Sequence, residues 1–289
     1  ARAGPARGLS RTVLDTPPLC ETCAMPALTF GLAAFVLYLI AGRLLAGHAR
    51  EDVPVPRRWL LAALPALALH AALHAMAWRQ LGGPELHFYS ALSLVGLGMA
   101  ALTMSFGTAQ RIEALGIVVF PLAGGVLLPY VLAGHARPSE ALSWPLQLHA
   151  LLALLAYATL AVATLLALML WFQDRALRQR HLGGALRLLP PLTQMETLLF
   201  RSLVAGFVLL SLTLLTGVLF VDDLFAQDLG HKTLLSILSW IVLAVLLFGR
   251  WRWGWRGPRA AKLTLTAMAL LLLAFFGSKF VYELVLHRA

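Results

Sequence analysis

The chain has 289 residues, 60% hydrophobic and 12% charged, with a mean hydropathy of +0.80 and a formal net charge of +10 at pH 7. A water-soluble domain lies near half apolar and about a quarter charged, so this chain has too little polar surface to cover a globule, and lipid is its solvent. The basic excess does not point to nucleic acid, because the positive residues fall in short gaps between apolar runs. Two cysteines, Cys20 and Cys23, are too few for a disulfide framework, and as a single Cys-Glu-Thr-Cys without a second pair or nearby His they are a weak zinc or redox signal.

Residues 1–24 are polar, rich in Ala, Arg, Gly and Pro, and lack apolar periodicity. Met25-Pro26 then opens the first apolar run directly, so Met25 is the expected natural start and 1–24 an unstructured extension. The first run is too long for a signal-peptide core and has no clean cleavage site. Residues 25–289 are expected to form one transmembrane domain.

A membrane-crossing helix needs about 20 mostly apolar residues. Eight stretches qualify, at 27–45, 59–78, 88–106, 112–132, 146–172, 199–221, 233–249 and 261–286. Strands of a barrel would alternate over about ten residues, and these Leu- and Ala-rich runs do not. The expected fold class is all-α, a polytopic integral membrane protein built as a bundle of eight transmembrane helices.

The gaps after helices 1, 5 and 7 are basic. They hold Arg43, Arg50, Arg57 and Arg58; then Arg175, Arg178, Arg180 and Arg187; then Arg250, Arg252, Arg256, Arg259 and Lys262. The alternate gaps carry Arg79 with Glu85, Arg137 with Glu140, and Lys232 facing Asp222, Asp223 and Asp228. By the positive-inside rule the basic set is cytoplasmic and both termini are periplasmic. Arg2, Arg7 and Arg11 would oppose that orientation, which is a second reason to expect the start at Met25. Gly96, Gly98, Gly124 and Gly125 are expected at close helix contacts, and Pro65, Pro121 and Pro129 at kinks.

Ionisable groups are costly in lipid and therefore informative. His149 opens the fifth predicted helix, His231 precedes the seventh, His87 precedes the third and His287 ends the eighth, which puts all four at the outer face. Neutral imidazole is a strong ligand for haem iron, and His149 and His231, at one depth, would bracket a haem. Histidines merely tolerated near water are the alternative. His70 and His74 share one face of helix 2. His70 reads either as an embedded haem ligand or proton-responsive group, or as a buried histidine bonded to a neighbouring helix; His74 is expected to be the latter. Tyr157 and Trp240 suit porphyrin stacking or plain packing, and Asp222, Asp223 and Asp228 a solvated acidic loop. No hydrolase, kinase or dinucleotide motif is present, and a non-enzymatic role is expected.

Several local patterns act in combination. Tyr157-Ala158 follows His149 by eight residues, and His231-Lys232-Thr233 leads into Leu235-Ser236, Trp240 and Arg250. Gly254-Trp255-Arg256-Gly257 and Phe276-Gly277-Ser278-Lys279 follow. From about residue 60 to 287 the chain resembles the cytochrome c assembly membrane family, the CcsA, CcmC and HemX-like group, and most closely its short, eight-helix YpjD-type branch. The resemblance implies a haem-handling inner-membrane protein with haem as cofactor, held near the outer face. It implies His149, His231, His70 and His287 as candidate haem ligands and Tyr157, Trp240 and Lys232 as lining residues, with no metal beyond haem iron. The implied partners are membrane lipid and other cytochrome c assembly or haem biosynthesis proteins.

The chain also departs from the family pattern. Haem-export members carry a tryptophan-rich outer loop ending in Trp-Asp, whereas residues 222–230 hold no tryptophan. Phe248 stands about where a second in-membrane histidine is expected, and His287 is one residue from the family's other external histidine. Two alternatives follow. One is a HemX-like regulator of haem biosynthesis acting through the basic cytoplasmic loops. The other is a small-solute transporter, which should show broken helices with polar groups at the midplane.

Overall fold

The computed structural model describes residues 21–48, 57–110, 113–133, 143–179, 191–220 and 230–281. These residues form eight α-helices: α1 Glu21–His48, α2 Arg58–Leu81, α3 Phe88–Gln110, α4 Glu113–Ala133, α5 Trp144–Arg178, α6 Leu192–Phe220, α7 Gly230–Trp253 and α8 Pro258–Leu272. The chain runs from α8 directly into a π-helical turn, Leu273–Gly277. All eight are long and apolar enough to cross a membrane, and no strand occurs among the described residues.

Helix ends follow local chemistry rather than hydropathy. Proline stands in the first turn of α5 and α8, where its missing N–H has no intrahelical partner to lose. Gly82, at φ 71°, closes α2 in the left-handed conformation and returns its N–H to the Trp78 carbonyl. Helix α5 outruns the expected 146–172 span: its 35 residues extend about 52 Å, well beyond a hydrocarbon core of about 30 Å. The polar overhang keeps its helix through the Asp174–Arg178 pair, with Nε 3.0 Å from Oδ2. Likewise α6 begins at Leu192 rather than 199, because Thr193, Gln194 and Glu196 are helical residues outside the apolar run.

The bundle has two halves. Helix α1 packs on α2 and α4, and α3 on α4; α5 packs on α6 and α8, α6 on α7, and α7 on α8. The halves meet where α3 lies against α5. That seam is tight at Gly98, where an added Cβ would come within 2.7 Å of the Ala158 Cβ. Gly125, expected at a similar contact, has nothing within 4 Å of an added Cβ, so it makes no close approach.

Tyr38, Phe120 and Leu45 are buried in the first half, and Leu199, Leu203, Leu243 and Leu246 in the second. Leu61, Leu215, Val218 and Phe248 are exposed on the outer surface of the bundle, where lipid takes the place of water. Lipid tails are as apolar as these side chains, so packing and interhelical hydrogen bonds hold the helices together. Ser239 Oγ donates to the Ala267 carbonyl at 2.8 Å, and the Trp240 indole donates to Ser211 Oγ at 2.8 Å. Bonds of this kind contribute about 0.6 kcal/mol on average in membrane bundles.

Candidate functional site

Helices α5, α6 and α7, the end of α8 and the π turn line a half-open cavity of about 700 Å³. His149 and Tyr157 line it from α5, Ser211 and Gly217 from α6, Lys232 and Trp240 from α7, and Phe275 from the π turn. Three of its aromatic walls are anchored or stacked. Trp240 is held by its bond to Ser211 and stacks on Phe207 with ring centroids 5.3 Å apart. The Tyr157 hydroxyl donates to the Leu271 carbonyl, just before the π turn that carries Ala274 and Phe275 into the cavity wall. Phe275 packs edge-on against Phe276, with the Lys279 ammonium 5.6 Å from its ring. Single π turns of this kind recur at functional sites.

His149 sits in the second turn of α5, with Nδ1 3.1 Å from Thr216 Oγ1 on α6. The one hydroxyl hydrogen of Thr216 is taken up by the Leu212 or Thr213 carbonyl, at 2.9 and 3.0 Å. With its hydrogen so placed, Thr216 is an acceptor for a proton on His149 Nδ1, and the ring also bonds the Thr213 backbone. In that tautomer Nε2 keeps a lone pair. Gly217 gives the ring room: a Cβ there would stand 3.2 Å from His149 Cε1. Lys232 lies in the first turn of α7. Because α5 and α7 cross in the same direction, His149 and Lys232 share one end of the cavity.

Of the residues expected at the site, His149, Tyr157, Trp240 and Lys232 come together around this cavity, and His231 and His70 do not. His231 is exposed, within the first turn of α7 rather than ahead of it. Successive helical residues point about 100° apart, so a face that presents Lys232, Ser236 and Trp240 turns His231 to nearly the opposite side. His287 lies outside the described residues, as do Cys20 and Asp222, Asp223 and Asp228.

His70 belongs to a separate cluster in the first half. It is fully buried, with Nε2 2.9 Å from Ser93 Oγ and Nδ1 3.3 Å from the Tyr38 hydroxyl. Ser93 Oγ also meets His74 Nε2 at 2.9 Å, and His74 stacks on Tyr130 with centroids 4.6 Å apart. Both nitrogens of His70 are engaged, so it is the buried histidine bonded to neighbouring helices, not a ring with a free lone pair.

The Tyr130 hydroxyl donates to Glu85 Oε2 at 3.1 Å, and Glu85 Oε1 stands 2.9 Å from His87 Nε2, bent away from a linear hydrogen bond. Burial would raise the Glu85 carboxyl, but the adjoining His87 imidazole and the Tyr130 hydroxyl together outweigh it and hold the group below its ordinary value. Thr216 and Ser93, the residues that orient these histidines, escape a search for ionisable groups. The available signal is the run Thr213, Thr216 and Gly217 on one face of an otherwise Leu-rich helix.

The profile of the family described as cytochrome C assembly protein matches residues 59–286. The chain belongs to this family. The match takes in α2 through the π turn and with them the whole cavity. The chain is similar to the inner membrane protein YpjD of Escherichia coli K12, 31% identical over 268 residues that cover 89% of this chain and 98% of the relative. It is also similar to the cytochrome c biogenesis protein CcsA of Prochlorococcus marinus, 25% identical over 291 residues covering 87% and 90%. No solved structure matches it.

Proposed function

We propose that the chain is a haem-handling protein of cytochrome c assembly, a binding and delivery protein rather than an enzyme, with the α5–α8 cavity as its haem site. The observation that carries this reading is the His149 imidazole on the cavity wall, with Nδ1 held against Thr216 and the Thr213 backbone, an arrangement that suits presentation of Nε2 to a ligand. Ligating histidines characteristically donate their other ring N–H to a protein acceptor, which fixes tautomer and ring plane. The cavity volume of about 700 Å³ falls within the range of cofactor sites. Its walls of Trp240, Tyr157 and Phe275 suit the faces of a porphyrin, and the Lys232 ammonium suits a propionate. The residues present therefore fit haem. His149 would hold the iron, Thr216 and Gly217 orient that ring, and Lys232 fix the propionate edge; the bound group supplies the iron porphyrin that assembly consumes.

His287 would be the candidate for a second ligand, His231 faces away from the cavity, and His70, bonded at both nitrogens, takes no part. The one-sided arginine distribution supports placing this end of the bundle, and both termini, at the periplasmic face. The relative named as an inner membrane protein supports that membrane as the location, and other assembly proteins are the natural partners. The test is a haem titration of the purified protein followed in the Soret region. His149→Ala should abolish or strongly shift the band, His70→Ala and His231→Ala should leave it unchanged, and His287→Ala tests the second ligand. An unchanged titration for His149→Ala would refute the assignment.

A further inference from the structure

The end of the bundle opposite Lys232 carries a second cleft, of about 520 Å³, between α6 and α7. Thr197, Phe200, Arg201, Val204 and Ala205 line it from α6, and Arg250 from α7. The two arginines are held differently. The Arg250 guanidinium lies 4.5 Å from the Phe200 ring centroid and donates through Nη1 to the Trp255 carbonyl at 3.4 Å. Arg201 is exposed, and no acidic side chain pairs with it among the described residues.

Depth decides what can meet them. Helix α6 has 29 residues and is about 43 Å long, so centred on a hydrocarbon core of about 30 Å it overhangs by roughly 7 Å at each end. With residues 192–198 outside the apolar run, Arg201 has its Cα only about 4–7 Å below the hydrocarbon edge. Its side chain is long enough to reach the headgroups from there. Arg250 stands about 4–5 Å from the end of α7, close to the same boundary. Above the cleft Trp251 and Trp253 are exposed, as interfacial aromatic residues are. Toward the midplane Val204 and Val208, each about half exposed, continue an apolar track along α6.

We propose that this cleft is a binding site for an anionic phospholipid, its phosphate shared by Arg201 and Arg250 and one acyl chain lying along Phe200 and Val204. Guanidinium groups match phosphate oxygens in charge and fork geometry, and an arginine at the hydrocarbon edge without a protein carboxylate calls for an anion that is itself anchored there. A zwitterionic lipid offers the same chain but a neutralised headgroup, and a free phosphate ion offers no chain.

The test is native mass spectrometry of the full chain purified in a neutral detergent. It is mixed in turn with phosphatidylglycerol, phosphatidylcholine and inorganic phosphate, and adducts surviving matched collision energies are counted. Phosphatidylglycerol should be retained over phosphatidylcholine, and Arg201→Gln should weaken that retention about five-fold, the contribution of one basic residue at an anionic surface. Val204→Trp, which blocks the apolar track with both guanidiniums in place, should weaken it as well and serves where the Gln variant is poorly folded. Equal retention of the two lipids, or unchanged retention in a folded Arg201→Gln protein, overturns the proposal. Displacement of the lipid by millimolar phosphate would show a site for the ion alone and overturn it too.

Discussion

Thr216→Val removes the hydroxyl against His149 Nδ1 and little else, because valine keeps the β-branch and nearly the same volume. The hydroxyl accepts the His149 Nδ1–H at 3.1 Å. Losing a neutral hydrogen bond of this kind costs about 0.5–1.5 kcal/mol net, and leaving a buried donor without an acceptor costs about 1–3 kcal/mol. The Thr213 backbone remains beside the ring as an acceptor, so only the net bond energy applies, about 0.5–1.5 kcal/mol. That cost falls on the ring orientation that presents Nε2, so it should appear as a haem affinity lower by roughly 2- to 12-fold. The range overlaps the 10- to 100-fold typical of lost partners to ligating histidines. Haem titration of the purified variant measures it directly, with Thr216→Ser, which retains the oxygen, as a control that binds as the parent does. Haem binding by Thr216→Val within two-fold of the parent, with the same Soret position, would refute the idea that Thr216 sets the ligand.

Three further outcomes follow. On a cysteine-free background, a cysteine at position 178 should resist an impermeant maleimide added outside intact cells and one at position 80 should react; the reverse would invert the proposed orientation. Ser93→Ala removes the hydroxyl that faces Nε2 of both His70 and His74 at 2.9 Å. It should cost about 1–3 kcal/mol for each stranded polar group, lowering the apparent melting temperature in detergent without changing haem binding; lost haem binding at unchanged stability would contradict the separation of the two clusters. The Glu85 carboxyl is held below its ordinary 4.5, so its stabilising effect is present above that value and lost as pH falls through the folded-state value. Acidification below about pH 4.5 should therefore destabilise the parent more than Glu85→Gln, and parallel losses in the two proteins would remove Glu85 from the account.

Hydropathy located all eight helices, because a span that faces lipid must be apolar over its whole length. It could not locate their ends, since Gln173–Arg178 of α5 and residues 192–198 of α6 are helical outside the lipid, where composition is unconstrained. At the site, His149 and Lys232 were legible as residues of the right chemistry near one depth, and Tyr157 and Trp240 as aromatic residues about 12 Å further along the same helices. His231 was legible for the same reason and yet faces elsewhere, because depth along a chain says nothing about rotation around a helix axis until the helix start is known. Thr216 was not legible: a threonine inside a Leu-rich helix ordinarily bonds its own backbone, as Thr159 and Thr164 do here. The partners of His70 lie 23 and 32 residues away on other helices, at positions that only packing of α1, α2 and α3 determines. The π turn at Leu273–Gly277 lies in an apolar run with no local signature of its own.

The central claim, that His149 holds haem iron in the α5–α8 cavity, is tested most directly by the visible spectrum of His149→Gly with and without added imidazole. Glycine empties the ligand position, and free imidazole can refill it from the cavity. The account predicts a Soret band in the parent, its loss or displacement in His149→Gly, and its return when imidazole is added. A parent that takes up no haem, or a His149→Gly protein whose band matches the parent's without imidazole, would contradict it.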